Sequence, residues 1–232
     1  MSTNVKPEDL NYDHYESKRY NDEIISSIPG HEEIHQHIDR VIEREYILRG
    51  RIKILELGVG TGLTAERILR KIPNINYTAI DFSDKMLEGA RKLLSQYHIR
   101  FVKGDYGQII LPQNNDLIVS VIGMHHQETN EDKKILFQKV YNSLNKNGAF
   151  IFGDLMTYRN PMEAALNEAK HFHYLVENAK NKESLMEWAH HHKYLNKLAS
   201  IEDQIEWLRE VGFSDVAILY QRFNTALIYA KN

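Results

Sequence analysis

Three glycines at alternate positions, Gly58, Gly60 and Gly62, follow the apolar run Ile52 to Leu57, whose one acid is Glu56. Such a turn removes the side chains that would keep a ligand off the backbone and permits angles that other residues resist. About twenty residues further on, Asp81 closes the strand-like run Tyr77 to Ile80, where a ribose-binding carboxylate belongs in a mononucleotide βαβ unit. The same position would let Asp81 help cap a helix that starts at Ser83. A third acid, Asp105, stands with Tyr106 after Ile99–Lys103 and Gly104, and taken alone Gly-Asp is an ordinary turn signal. Two imidazoles, His125 and His126, sit in Gly123–Gln127, and histidine is suited to accept a proton near neutral pH. Asp154, close in sequence to Tyr158, could orient a substrate amine or hydroxyl or could close a turn.

The spacing selects among ligands. A dinucleotide fingerprint carries its third glycine later and sets a pyrophosphate on the helix N-terminus, whereas here the helix begins at once after Thr61 and Gly62. Glu56 would repel a diphosphate but could act, through solvent or backbone, on an ammonium group. The expected ligand is therefore a ribose-bearing group with an amine rather than a diphosphate. The remaining histidines suggest a metal only superficially. His31 and His35 share a helix face, His171 and His173 flank Phe172, and His190, His191 and His192 form a run that points around a helix. These read as solvated helix faces, and no metal site is expected.

The elements that must position these groups alternate as a parallel sheet with covering helices requires. Asp116–Ile122 reads as a buried fourth strand, a helix runs from about Glu131 to Leu144 with Ile135, Leu136, Val140 and Leu144 on one face, and Ala149–Phe152 makes a fifth strand. A helix with Ile205, Trp207, Leu208 and Val211 stops at Gly212, and Val216–Tyr220 and Ala226–Tyr229 read as a strand pair. Residues from about Asp13 to Leu48 read as two helices broken at Pro29-Gly30, and those from about Pro161 to Leu198 as a polar, aromatic-rich helical insertion. Ligands of open α/β sheets sit outside the carboxyl ends of the strands, so both segments could fold over that edge.

Composition fits one α/β catalytic domain. A formal net charge of −3 with mixed signs leaves no polyanion-binding footprint, so no nucleic-acid partner is expected. No apolar stretch is long enough to span a bilayer and the start does not resemble a signal peptide, so neither a membrane partner nor export is expected and a cytoplasmic location follows by default. The absence of cysteine excludes disulfides, thiolate metal sites and a cysteine nucleophile.

Glu-Leu-Gly-Val-Gly-Thr-Gly, with acids at the next two strand ends, resembles the motifs of class I S-adenosylmethionine (SAM) methyltransferases, and the likeness runs from Ile52 to Lys231. The resemblance implies a Rossmann-like α/β sheet of seven strands, parallel except for the last, with helices on both faces. Its domain plan would be a single unit: a helical lid over residues 1–50, a SAM-binding core over 51–155, a helical substrate cap over 156–200, and a C-terminal helix and strand pair over 201–232. It assigns Glu56, Gly58, Gly60, Gly62, Asp81, Phe82, Met86, Asp105, Tyr106 and Ile122 to the cofactor pocket, with Asp105 receiving the adenine amino group. Tyr12 and Tyr20 resemble the N-terminal tyrosines that close over SAM. His125, His126, Asp154 and Tyr158 are the candidate catalytic or substrate-contacting residues.

The loop Gly123–Gln127 lacks the Asn-Pro-Pro-aromatic pattern of nucleic-acid amino methyltransferases and is similar to the small-molecule branch. The helical prelude and C-terminal layout also resemble carboxy-SAM synthase, which relies on an arginine in the late insertion to hold its extra carboxylate. Here that region reads Trp188-Ala189-His190-His191-His192-Lys193, without arginine, which favours ordinary SAM. The function expected is methyl transfer to oxygen, nitrogen or carbon of a small metabolite. A SAM-consuming lyase or cyclase, a carboxy-SAM-synthase-like enzyme and a SAM-binding subunit without turnover are the alternatives, and a homodimer stays open.

Overall fold

The computed structural model describes residues 17–73 and 75–232. Two helices, α1 (Ser17–Ser27) and α2 (His31–Glu45), separate at Pro29-Gly30 as the sequence predicts. The core then alternates: β1 (Lys53–Leu57), α3 (Leu63–Lys71), β2 (Asn76–Asp81), α4 (Asp84–Leu93), β3 (Ile99–Lys103), β4 (Asn115–Val121), α5 (Asn130–Ser143) and β5 (Leu144–Leu155). The insertion supplies α6 (Pro161–Asn178) and α7 (Lys182–His190), and α8 (Ile201–Glu210), β6 (Asp215–Arg222) and β7 (Thr225–Lys231) close the chain.

The seven strands form one sheet in the order β3-β2-β1-β4-β5-β7-β6. Pairings from β3 through β5 are parallel, and β7 runs antiparallel between β5 and β6. Successive side chains of a strand point to opposite faces, so each strand feeds two cores. Ile54, Val119, Ile151 and Leu227 pack with Ile38 and Ile42 of α2 and Ile68 of α3 on one face. Leu55, Ile118, Phe150 and Ile228 pack with Phe137 of α5 and Leu208 of α8 on the other. Among the described residues no helix is long and apolar enough to cross a membrane.

Local chemistry sets the helix starts. Ser83 accepts a hydrogen bond from Met86 N at 3.2 Å, Thr129 and Asp132 form a reciprocal capping box, and Asn160 caps α6 with Pro161 in its first turn. Two elements extend beyond their sequence-based bounds. The fifth strand begins at Leu144 because Leu144 pairs with Asn115 across a register shift, so Asn145–Gly148 become part of the strand instead of a loop. The eighth helix begins at Ile201 because the Ser200 side chain caps it through Asp203 N at 3.0 Å.

Gly62 opens α3 at φ 96°, and a Cβ there would lie 2.9 Å from Leu94 Cδ1 and 3.4 Å from Ala90 Cα. Left-handed backbone costs an L-residue ~1–2 kcal/mol and overpacking adds ~1–3 kcal/mol, so Gly62→Ala should lower unfolding free energy by about 2–5 kcal/mol. Urea denaturation measures this; an unchanged midpoint would show that Leu94 and the turn yield freely.

Candidate active site

The turn after β1 is tied to its neighbours by backbone bonds. Gly58 N and Val59 N both donate to Ile80 O at 2.9 Å, and Gly58, Gly60 and Gly62 all have positive φ, at 73°, 53° and 96°. Asp81, at the carboxyl end of β2, accepts from Gly60 N at 2.8 Å and from Ser83 N at 3.0 Å. One carboxylate thus bridges the glycine turn and the start of α4, where Phe82 is half-buried and Met86 is buried. The capping role that the sequence left open belongs to Ser83, whose side chain receives Met86 N.

Glu56 does not stand open to a ligand. It is buried in the sheet and accepts from Tyr77 OH at 2.8 Å, and burial pushes its carboxyl up to about 8. Near pH 7 the group is mostly protonated, so the charge argument that set it against phosphate and toward an ammonium does not hold for the protein without a ligand. Spacing alone could not show which way the side chain of a strand residue turns.

On the far side of the turn, Asp105 Oδ1 accepts from Gly107 N at 2.8 Å and Tyr106 OH donates to Gly123 O at 2.7 Å. The Tyr106 ring lies beside the turn, 3.6 Å from where a Cβ on Gly58 would be, and Tyr20 of α1 lies 3.9 Å from the corresponding point on Gly60. Burial, with the Asp81 carboxylate nearby, keeps the Tyr20 phenol far above its ordinary pKa. The Thr61 hydroxyl donates to Asn21 of α1, which holds that helix on the turn. Tyr12 lies outside the described residues.

Beyond β4 the chain turns sharply. Ile122 adopts φ 54° and donates to Gly153 O at 2.7 Å, and a short 3-10 turn, Met124–His126, follows. It carries His125 onto the end of β5. Asp154 accepts the backbone N of His125 at 2.7 Å through Oδ2, and its Oδ1 hydrogen-bonds the imidazole Nδ1. Leu155 N also donates to Asp154 Oδ1, at 2.9 Å. Two residues that the sequence presents separately are one buried pair, which fixes the tautomer with Nε2 as the lone-pair nitrogen. The buried Lys133 of α5 donates to Gln127 O at 2.6 Å and braces the loop from behind, and burial brings its pKa down to about 8.

Two cavities meet here. A smaller one, about 380 Å³, lies along Gly58–Thr61 and reaches His31 and His35. A larger one, about 650 Å³, lies beyond the histidine loop and is roofed by α1, α6 and α7 through Glu23, Leu175, Glu187 and Trp188. Tyr20, Ile24 and Ile122 line both. No lysine or arginine is among the described residues lining the larger one.

Tyr158 is not in either cavity. Its hydroxyl donates to Phe223 O and accepts from Gln221 Nε2 at 2.8 Å, so it fastens the β6–β7 turn. The reading of the histidines as solvated faces is also corrected. His173 and His190 are exposed, but His31, His35, His171 and His192 are buried and His191 is half-buried. His35 bonds His31 O at 2.8 Å and Thr64 Oγ1 at 3.0 Å, joining α2 to α3. After α7 the helix widens into a π turn, His191–Leu195, so that the adjacent His191 and His192 both line the larger cavity. One nitrogen from each of His125, His126 and His191 lies within 4.8 Å of the others. Burial and neighbouring imidazoles drive His126 well below its ordinary pKa and His191 down to about 4. The sequence held the histidine-rich signal for this cluster, but nothing in it announced the π turn.

Residues 54–148 match the family model for a methyltransferase domain. The chain is 32% identical over 117 residues to malonyl-[acyl-carrier protein] O-methyltransferase of Bacillus cytotoxicus, which covers 50% of this chain and 40% of that protein. It is 25% identical over 232 residues to carboxy-S-adenosyl-L-methionine synthase of Actinobacillus succinogenes, covering 96% and 93% respectively. Residues 54–148 therefore carry a methyltransferase domain. Solved structures share the fold: an O-methyltransferase family protein from Burkholderia thailandensis superposes with a TM-score of 0.68 at 13% identity over 98% of this chain and 63% of that one. Human N-acetylserotonin methyltransferase, solved in complex with SAM, gives 0.58 at 15% identity over 85% and 51%.

The raised Glu56 pKa makes a prediction for stability. Between the ordinary carboxyl pKa of 4.5 and the folded value of about 8, the folded protein binds more protons than the unfolded one, so this residue's contribution falls as pH rises across that window. Glu56→Gln should therefore be nearly neutral at pH 4.5 and stabilising at pH 8, in denaturant titrations at the two pH values. An equal effect at both would refute the shift.

Proposed function

We propose that this methyltransferase transfers the methyl group of SAM to a small-molecule acceptor held in the cavity of about 650 Å³, with His125 as the base. The observation that carries the reading is the buried His125–Asp154 pair, whose imidazole lines the larger cavity next to Ile122, a residue that also lines the glycine-turn cavity. The turn fits SAM because its positive-φ glycines present backbone where a Cβ would intrude. Asp81, with Phe82, Met86, Asp105, Tyr106 and Ile122 around it, would hold the nucleoside, and Tyr20 would cover it. SAM supplies a methyl carbon that bonds to the acceptor as the carbon–sulfur electron pair stays on sulfur, leaving S-adenosylhomocysteine.

His125 Nε2 takes the acceptor's proton, and Asp154 stabilises the imidazolium that results. Transfer at a sulfonium carbon gains much of its rate from alignment and exclusion of water. The first helical segment then serves as a lid and the α6–α7 segment as a substrate cap, since both line the cavity. The likeness to carboxy-SAM synthase over almost the whole chain keeps that product in view, but a lining without lysine or arginine favours ordinary SAM over a cofactor bearing an extra carboxylate. The name of the acyl-carrier-protein methyltransferase makes carboxyl oxygens worth including among candidate acceptors.

Incubation with SAM and a panel of hydroxylated, amino and carboxyl metabolites should yield S-adenosylhomocysteine and a methylated product; methylthioadenosine formed without an acceptor would refute transfer. His125→Ala should lower kcat by about 10²–10⁴-fold while calorimetric SAM affinity is kept. Asp81→Asn should do the reverse, weakening SAM binding about tenfold or more through loss of charged hydrogen bonds, and full affinity in that variant would remove Asp81 from the cofactor site.

A further inference from the structure

The proposed transfer uses one imidazole of the larger cavity and leaves its neighbours without a task. His126 stands beside His125 with ring centroids 4.0 Å apart, and His191 arrives from the distant insertion with its ring centroid 5.7 Å from that of His126. One nitrogen of each of the three lies within 4.8 Å of the other two. Asp154 occupies Nδ1 of His125, the outer contact that orients histidine ligands in metal centres and leaves Nε2 to bind. The π turn is an independent observation, because such turns gather at functional sites and this one begins at His191 itself.

We propose that His125, His126 and His191 together bind one divalent transition-metal ion, for which zinc is the probe, on the wall of the acceptor cavity. Imidazole nitrogens sit about 2.0–2.1 Å from zinc, so the three need to draw together by side-chain rotation, and three protein ligands leave a fourth position open. The ion would be the one positive charge on a described lining without lysine or arginine. It selects an acceptor with an ionisable oxygen, whose proton is lost to solvent once the oxygen is bound. This inference rests on the reading of the cavity as the acceptor site. It also divides the roles of one atom: Nε2 of His125 either holds the metal or takes the acceptor's proton.

The test uses the full chain without a histidine tag, stripped with a chelator and titrated with Zn²⁺ by calorimetry and with Co²⁺ by visible absorption. One equivalent should bind, with ligand-field bands of a low-coordinate nitrogen site. His191→Ala should abolish that binding, Asp154→Asn should weaken it about 10–100-fold, and His173→Ala, on the exposed face of α6, should leave it unchanged. Thermal melts of each variant report whether it folds. Absence of stoichiometric zinc uptake, or uptake unchanged in a folded His191→Ala, overturns the site. If the stripped enzyme takes up no zinc yet methylates an acceptor, the metal falls and the His125 base stands. If zinc binds through these histidines while no acceptor yields S-adenosylhomocysteine, the metal site stands and the acceptor reading falls.

Discussion

The parallel pairing of β4 with β5, which sets Val121 opposite Gly153, decides what the rest of this site can be. It brings the loop that follows one strand against the end of the next, and Ile122 extends the contact by donating to Gly153 O. Asp154 is then one residue past the last pair, level with His125, and receives two backbone N–H groups and an imidazole. A buried carboxylate is tolerable only when its oxygens are so satisfied. Gly153 itself is required at this register, since a Cβ there would lie 2.8 Å from Ile34 Cγ2 of α2.

Around that junction the protein separates two tasks. The sheet edge and its turns form a rigid cradle from backbone, with Asp81 fastening the glycine turn to the next helix. The larger cavity is walled by helices outside the core, α1 from the prelude and α6 and α7 from the insertion. The larger cavity has more apolar than charged wall, and burial lowers the pKa of three of its imidazoles, His126, His171 and His191. An interior of this kind strengthens whatever charge develops within it, which suits a reaction that consumes a sulfonium cation.

The sequence carried much of the fold because its signals are local. Apolar runs along Lys53–Leu57 and Asn115–Val121, glycines at alternate positions, and caps such as Ser83 and Thr129 each act within a few residues of themselves. Where sequence reasoning failed, the deciding contact was remote. Glu56 was read as facing a ligand, but a residue of the neighbouring strand, Tyr77, claims it. Tyr158 was placed near the chemistry by its closeness to Asp154 in sequence, but Phe223 and Gln221 hold it at the β6–β7 turn.

The histidines show the division most plainly. By itself the sequence determined the alternation of strands and helices and a glycine turn followed by an acid at the ends of the next two strands, because periodicity and turn chemistry depend on neighbours in the chain. Only the tertiary structure decided that His125 pairs with Asp154 and that His126 meets His191. The first follows from strand register, and the second from a π turn that rotates an apparently helical, solvent-facing run into the cavity. Both bring together residues far apart in the chain, and the packing that selects such partners leaves no periodic trace in the sequence.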